Sequence, residues 1–319
     1  MPEPGLTTFA AIRGHERACA FLRAAVANQR LAHALLFAGP DGIGKRAVAG
    51  ALAAWLECTA GGDDACGTCA SCRQAAAGSH PDLQIIAVAA GKKEIGVDRV
   101  RELKRFTQLQ PLGGTMKIGI VDDAHMLTVA AQNALLKTLE EPPPRSLLIL
   151  VANNPDALLP TVRSRCQRVQ FAPLPTAVVV ELLTTQHGVD AATARDLAAL
   201  AEGSPGRALA LSRSFVGGRR QQLLEALATL GTARYVQLAQ MAQELSHPEA
   251  EATVKLETLL HACRDDALRA VGAAPPPSRR LRGALRRADV VADAWNALRR
   301  GSPNRQLLLE ALLLRLART

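Results

Sequence analysis

A glycine-rich segment that ends in lysine is the first group of residues whose spacing could do chemistry. Residues 39–45 read Gly-Pro-Asp-Gly-Ile-Gly-Lys, so Gly39, Gly44 and Lys45 follow the Gly-x4-Gly-Lys spacing of a phosphate-binding loop, with Gly42 between them. Glycines let successive backbone N–H groups turn towards a phosphate, and the start of the following helix adds partial positive charge. The segment therefore predicts a phosphate-binding loop in which Lys45 reaches the terminal phosphates.

The position after this lysine departs from the motif. Arg46 stands where a Ser or Thr hydroxyl would bind Mg²⁺, and a guanidinium has no lone pair to offer a cation. Further along the chain, Asp122 takes the place of a Mg²⁺-binding carboxylate, whereas Asp123 is one methylene shorter than the glutamate that would polarise a water. We interpret the loop as one that keeps its shape but does not hydrolyse ATP, with metal-free nucleotide binding at Lys45 left open. The acid pair is then a structural feature at the end of a strand.

Four of the seven cysteines lie close together in a polar, glycine-rich stretch: Cys58, Cys66, Cys69 and Cys72. Their spacing contains two overlapping Cys-x2-Cys turns, each able to place two thiolates on one ion, and zinc prefers four such ligands in a tetrahedron. Four sulfurs leave no open position for water, so the pattern predicts a structural zinc. The alternative, a set of free buried thiols, fits poorly with so polar a segment.

The elements that must position these residues are apolar runs alternating with helical patterns. Strands are predicted at 33–38, 83–88, 117–121, 146–151 and 169–171, and the first of them leads into the phosphate loop and a helix over 46–56. Continuous apolar strands separated by helices indicate a parallel sheet covered on both faces. We therefore predict an α/β domain over residues 1–172 with a zinc module at about 57–73, a small helical domain over 173–213 and an all-helical domain over 214–319.

Composition bears on the partner and on the cellular location of the protein. The net charge is +9, which suits a nucleic-acid partner, although many proteins without one are also basic. No apolar run approaches the roughly 20 residues that a membrane-spanning helix needs, and the first residues lack the pattern of a signal peptide. A cytoplasmic protein is expected.

Taken together, the motifs resemble one protein family. They follow one another as the phosphate loop at 39–45, the cysteine cluster at 58–72, the acid pair at 122–123, Asn-Ala-Leu-Leu-Lys-Thr-Leu-Glu-Glu-Pro-Pro at 133–143, Ser-Arg-Cys at 164–166, and an Asn-Arg-x-Leu pattern that begins at 304. This order is similar to that of the bacterial DNA polymerase III clamp-loader subunits of the AAA+ superfamily, over essentially the whole chain. The resemblance implies an AAA+ P-loop domain, a small helical lid and a C-terminal helical collar that holds a pentamer together.

The resemblance also assigns a role to the Ser-Arg-Cys segment. In that family its arginine acts in trans as an arginine finger on the ATP bound by the adjacent subunit, which implies this role for Arg165, positioned by Ser164 and Cys166. The implied partners are a delta subunit and three tau/gamma motor subunits in a pentameric ring. Such a ring loads the sliding β clamp onto primed DNA.

Two further positions bear on which kind of subunit this is. The motor subunits carry a sensor arginine in a Gly-Ser-x-Arg motif, and Gly206 occupies its place here, with Arg207 next door and expected to point elsewhere. A polar residue of the first sensor is present at Asn153 or Asn154. The resemblance therefore implies the delta-prime class, a stationary subunit with no complete catalytic site of its own. The alternatives are an active motor of the same family and a zinc-dependent nucleic-acid-binding protein outside the replisome.

A basic helix pattern over 97–105 is the last feature of interest. The resemblance places the corresponding helix at the central DNA channel, so Arg99, Arg101 and Arg105 are candidates for phosphate contact, which carries no sequence specificity. The alternative is an ordinary amphipathic helix with its apolar side buried.

Overall fold

The computed structural model describes residues 8–215, 235–246, 279–299 and 304–317, together with single positions between 256 and 267. Its contacts divide the chain into two compact units, residues 1–208 and residues 209–319. The boundaries at 172 and 213 that the sequence suggested remain predictions. No helix among the described residues is long and apolar enough to cross a membrane.

The first unit contains five strands and most of the helices. The strands are β1 (Ala34–Ala38), β2 (Leu83–Ile86), β3 (Lys117–Val121), β4 (Ser146–Ala152) and β5 (Gln167–Gln170). The helices are α1 (Glu16–Ala27), α2 (Lys45–Leu56), α3 (Ala70–Ala76), α4 (Val97–Thr107), α5 (Val129–Glu140), α6 (Pro160–Arg163), α7 (Thr176–His187), α8 (Ala191–Leu200) and α9 (Pro205–Phe215), the last of which runs into the second unit. Three short 3-10 turns lie at Phe9–Ala11, Ala124–Met126 and Pro155–Ala157.

The five strands form one parallel sheet in the order β2-β3-β4-β1-β5. This topology confirms the predicted parallel sheet. The prediction was possible because buried strands of a parallel sheet read as continuous apolar runs. The fifth strand begins two residues earlier than predicted and ends one earlier. It lies at the edge of the sheet and only Val169 of its residues is buried, so its polar residues gave no apolar signal.

Alternate residues of the strands build two apolar cores, one on each face of the sheet. Leu35 and Phe37 of β1 pack in a cluster with α1 and α2, whereas Leu36 packs in a second cluster with α4 and α5. This alternation follows from the two-residue period of a strand. Because the strands are parallel, their carboxyl ends share one edge of the sheet. The phosphate loop between β1 and α2 therefore meets the residues that follow β3 and β4 at this edge.

The second unit is helical wherever it is described. Helices α10 (Tyr235–Ser246), α11 (Arg279–Arg299) and α12 (Arg305–Leu316) share an apolar core that includes Leu238, Val291 and Leu313. The Asn304 side chain caps α12 by accepting the backbone N–H of Leu307 at 3.1 Å. The predicted helical C-terminal region is confirmed here, while the helix expected at 221–230 lies outside the described residues.

Candidate functional site

The phosphate-like loop has the backbone conformation that its glycines allow. Gly42 and Gly44 have φ values of +67° and +100°, in the left-handed region that favours glycine, and α2 begins at Lys45. A Cβ on Gly39 would lie 2.4 Å from the Phe171 carbonyl oxygen, so the start of the loop also has no room for a side chain.

The ammonium of Lys45 is fully occupied by its own chain. Its Nζ donates to the carbonyl oxygen of Gly39 at 2.8 Å, to the side-chain oxygen of Asn153 at 2.8 Å, and to the Pro40 carbonyl oxygen. Three acceptors satisfy all three donors of an ammonium. Of the two candidate sensor residues, Asn153 therefore contacts the loop, whereas Asn154 accepts the backbone N–H of Asp156 and caps a 3-10 turn.

Burial lowers the pKa of Lys45, and the nearby carboxylates oppose that shift. The Lys45 side chain is buried, and the opposing charges come from Asp41, Asp122 and Asp123. The lysine thus lies between a loop of carbonyl groups and a cluster of acids.

Arg46 pairs with the carboxylate that would bind magnesium. Its Nη1 lies 3.0 Å from Asp122 Oδ2, while Asp122 Oδ1 accepts the backbone N–H of Asp123 at 3.2 Å. Both oxygens of Asp122 are therefore engaged. Asp123 lies in the left-handed region at φ +53°, and burial, reinforced by Asp122, raises its pKa.

The start of α9 and the residue before it pack directly on the loop. Ser204 Oγ donates to the Asp41 carbonyl oxygen at 2.8 Å, and the Gly206 backbone N–H donates to the Gly42 carbonyl oxygen at 2.9 Å. A Cβ on Gly206 would lie 2.8 Å from the Gly42 Cα, which leaves no space for any other residue. The sequence indicated only a missing sensor arginine at this position. The structure adds that glycine is what the contact with the loop requires.

Two neighbours of the loop are Arg207, which the sequence predicted to point elsewhere, and His15, which carried no recognisable motif. The Arg207 guanidinium forms an ion pair with Glu202 at 3.0 Å rather than facing the loop. His15 is buried and bonds the Ile43 carbonyl oxygen through Nε2 at 2.6 Å, so Nε2 carries the proton, since a carbonyl only accepts. Burial lowers the pKa of His15. Only the tertiary contact with Ile43 identifies the role of His15.

The four clustered cysteines meet at one point. The Sγ atoms of Cys58 and Cys69 are 4.0 Å apart, those of Cys66 and Cys72 are 3.9 Å apart, and all four lie within 4.8 Å of one another. Zinc–sulfur bonds of about 2.3 Å in a tetrahedron give sulfur–sulfur separations of about 3.8 Å. The observed spacing therefore fits a zinc ion.

Backbone N–H groups lower the pKa of two of these cysteines, Cys66 and Cys69, whereas burial raises the pKa of Cys72 to about 12. The N–H groups of Cys66, Cys69 and Cys72 lie 3.3–3.4 Å from the sulfurs of Cys58, Cys66 and Cys69, respectively. The bond from Cys72 is the largest of the effects that lower the pKa of Cys69 to about 5. Because zinc binds thiolates, donors placed in this way favour the liganding form.

A second cluster of possible metal ligands is a structural network. Asp82 lies 2.7 Å from the Lys117 ammonium and accepts the backbone N–H groups of residues 112–114. Burial alone would raise the pKa of Asp82, but Lys117 and these three bonds outweigh it and hold that pKa well below its usual range. Glu57 accepts N–H groups of residues 115 and 116, and both ring nitrogens of His80 are engaged. With these partners the cluster anchors the loop before β3.

Arg165 lies folded against its own chain near the surface. Its Nη2 is 2.7 Å from Glu140 Oε1, and its Nη1 donates to the Thr161 carbonyl oxygen at 2.9 Å, with Ser164 Oγ at 3.5 Å. The side chain is 35% exposed. Cys166 is buried, and burial raises the pKa of its thiol to about 12, so it packs rather than reacts. The contact with Glu140 had no signal in the sequence beyond the acids that end α5.

The basic residues of α4 differ in their partners. Arg99 pairs with Glu102 and Arg101 pairs with Asp98, each at 3.0 Å and between exposed side chains. Arg105 is exposed and forms no ion pair within the part of the chain that the structure describes. The predicted apolar side of the helix is buried.

Comparison with known proteins gives this site a family context. The family described as "DNA polymerase III, delta subunit" matches residues 14–175, which contain the loop, the cysteine cluster and Arg165. The "DNA polymerase III subunit delta'" of Pseudomonas aeruginosa is 42% identical over 205 residues, 62% of this chain and 61% of that protein. The protein of the same name from Escherichia coli is 40% identical over 198 residues, 61% and 59% of the two chains.

A third relative carries a different subunit name. The "DNA polymerase III subunit tau" of Bacillus subtilis is 31% identical over 268 residues, which are 81% of this chain and 47% of that protein. The chain therefore spans less than two thirds of the length of each of these three relatives.

Proposed function

Because this chain belongs to the DNA polymerase III delta subunit family, we propose that it acts in a clamp loader as a subunit of the delta-prime type. The relatives of that name, 42% and 40% identical, support this choice. In this role the chain joins delta and tau/gamma motor subunits in a pentameric ring in the cytoplasm and helps load a sliding clamp on primed DNA. The relation to delta-prime proteins argues against a zinc protein outside the replisome.

The chain does not hydrolyse ATP in this proposal. The observation that carries the proposal is the ion pair between Arg46 and Asp122, which puts a fixed cation on the carboxylate that a magnesium ion would need. The packing of Gly206 on Gly42 supports it, because the loop is braced from the side on which a motor presents its sensor arginine. Measurable turnover of Mg²⁺-ATP by the purified chain, abolished by Lys45→Ala, would instead favour the active-motor alternative.

Arg165 acts on the nucleotide of the adjacent motor subunit. A guanidinium has five N–H donors, and the contacts to Glu140, Thr161 and Ser164 use at most three of them. The remaining donors and the partial exposure leave the group able to bind a phosphate oxygen. It would stabilise charge on the transferring phosphoryl group, as an arginine finger does.

Replacement of Arg165 with alanine tests this role in the assembled loader. We expect the ring to assemble, because the side chain is near the surface, and the DNA-stimulated ATPase rate to fall. An arginine finger is worth about 10³-fold or more at its own site, so the loss ranges from about a third of the total, for three independent motor sites, to nearly all of it for coupled sites. An intact ring with an unchanged rate would remove the finger role.

The cysteine cluster holds one structural zinc ion in this proposal. Cys58, Cys66, Cys69 and Cys72 supply the four ligands, and the sulfur spacing supports the assignment. When bound, the ion would tie the start of the module to α3. Phosphate contact with DNA is assigned chiefly to Arg105, with Arg99 and Arg101 secondary because their charges are already paired.

A further inference from the structure

We infer that Glu140 is the positioning residue for the Arg165 guanidinium, holding it in the orientation in which it acts on the neighbouring nucleotide. The inference rests on the proposed finger role of Arg165 and adds a second residue to it. The observation is the ion pair of 2.7 Å between Arg165 Nη2 and Glu140 Oε1, which joins the end of α5 to the residue that follows α6 by two positions.

The negative charge of Glu140 destabilises the end of α5 unless a cation offsets it. It is the last residue of that helix, and Glu141 follows it, so two carboxylates lie at the end where the helix dipole is already negative. Local rules of this kind are broken chiefly where a residue has another task. The Arg165 cation offsets one of the two charges, and the pair thereby links an unfavourable helix end to a candidate site.

The framework around the pair is fixed from its other side. Gln132, one turn into α5, is buried and accepts the backbone N–H of Leu159 at 2.6 Å, while its amide nitrogen donates to the Ala157 carbonyl oxygen at 3.4 Å. The segment that leads into α6 is thus bonded to α5 before Glu140 reaches Arg165. Two residues of α5 thus set the position of Arg165. Gln132 holds the backbone segment that leads to it, and Glu140 holds its side chain.

The pair orients the arginine rather than blocking it. Glu140 and the Thr161 carbonyl oxygen each take one donor on different terminal nitrogens, so the guanidinium plane is fixed while other N–H groups stay available. A long side chain loses much rotamer freedom when it binds a phosphate, and an arginine already held in place loses less. Exposed ion pairs are weak, so the pair would not prevent a triphosphate from binding the same group.

The test uses the complete loader with its own motor and delta subunits. We expect Glu140→Ala to lower the DNA-stimulated ATPase rate at the site that Arg165 serves by about two- to fivefold, the size of effect that an exposed pair supports, so the total kcat falls by less than it does in Arg165→Ala. The KM for ATP stays unchanged, because Glu140 does not touch the nucleotide. Glu140→Gln keeps an oxygen that can accept from Arg165, so it recovers part of the rate and also guards against a folding defect in the alanine variant.

Glu141→Ala is the matched control. It removes the same charge one residue away, and Glu141 forms no ion pair within the described residues, so its rate should equal that of the wild type. The decisive measurement is a double-mutant cycle. If Glu140 acts through Arg165, then Glu140→Ala has no further effect on kcat in an Arg165→Ala background.

Each result separates the two proposals. An unchanged or increased kcat for Glu140→Ala, or an equal loss with and without Arg165, overturns the positioning role while leaving the finger in place. A loader in which Arg165→Ala itself has a normal rate contradicts the finger, and the positioning role is contradicted with it.

Discussion

At the level of single residues, a charge that is fully paired within the chain has a structural role, whereas a charge with free donors can bind a partner. Spacing along the chain predicted that the four clustered cysteines come together, because ligands of one ion in a tight turn are close in sequence. It also drew attention to Arg46, since a cation replaces a hydroxyl at a position with a fixed task. It did not predict that Arg46 would pair with Asp122 or Arg165 with Glu140, because the partners lie 76 and 25 positions away, too far for any local pattern.

The basic side of α4 gives a prediction at this scale. Arg105→Ala should weaken binding of primed DNA by the assembled loader and reduce the slope of log affinity against log salt concentration by about 1. Arg99→Ala is the control on the same helix, and it should have a smaller effect because Glu102 already neutralises that charge. The measurement is fluorescence anisotropy over a series of salt concentrations. A larger effect at Arg99, or an unchanged slope at Arg105, would argue against this assignment.

Strands and helices were more predictable than their contacts. The strands β1, β3 and β4 are almost wholly buried, the edge strand β2 is partly buried, and all four were visible as apolar runs. The predicted start of β5, at the other edge, was two residues too late because only Val169 of that strand is buried. The start of α9 was predicted as a glycine-containing loop near 203–206. Its packing on the phosphate-like loop could not be predicted, because it joins segments more than 160 residues apart through backbone atoms.

The packing of α9 on the loop predicts opposite effects for two glycine substitutions. Gly206→Ala should destabilise the first unit by about 1–3 kcal/mol, because its Cβ would lie 2.8 Å from backbone and the segment must shift. Gly50→Ala, inside α2 with nothing within 4 Å of the new Cβ, should stabilise it by about 0.5–1 kcal/mol. Urea unfolding of both variants measures this. Equal shifts of the same sign would show that Gly206 is not confined by Gly42.

At the scale of the whole molecule, the sequence predicted an α/β part followed by a helical part, and the described residues have that order. Periodicity was sufficient for this, because parallel strands and amphipathic helices have different repeats. The predicted boundaries at 172 and 213 stay predictions. Contacts separate the chain at residue 208, within α9, and contacts between distant segments cannot be read from periodicity.

The proposed metal links the cysteine module to the stability of the whole first unit. Purified protein should carry about one zinc per chain, and chelation should cost at least about 2 kcal/mol, since metal binding contributes directly to folding. For a unit of this size that corresponds to a fall in Tm of about 4–8 °C. Cys66→Ser should lose the metal, while Asp63→Ala, at an exposed position of the same loop, should keep it. Metal analysis and calorimetry test this, and a chain free of metal with an unaltered Tm would contradict it.

The ion pair between Arg46 and Asp122 also bears on the stability of the isolated chain. A ligand that binds only the folded state raises stability with its concentration, so a nucleotide-dependent subunit is more stable when the cell is well supplied with energy. Here the positive charge comes from within the chain, and the loop is braced by Ser204 and Gly206. If the loop binds no magnesium nucleotide, as proposed, the free energy of unfolding of this chain should not change with the concentration of Mg²⁺-ATP.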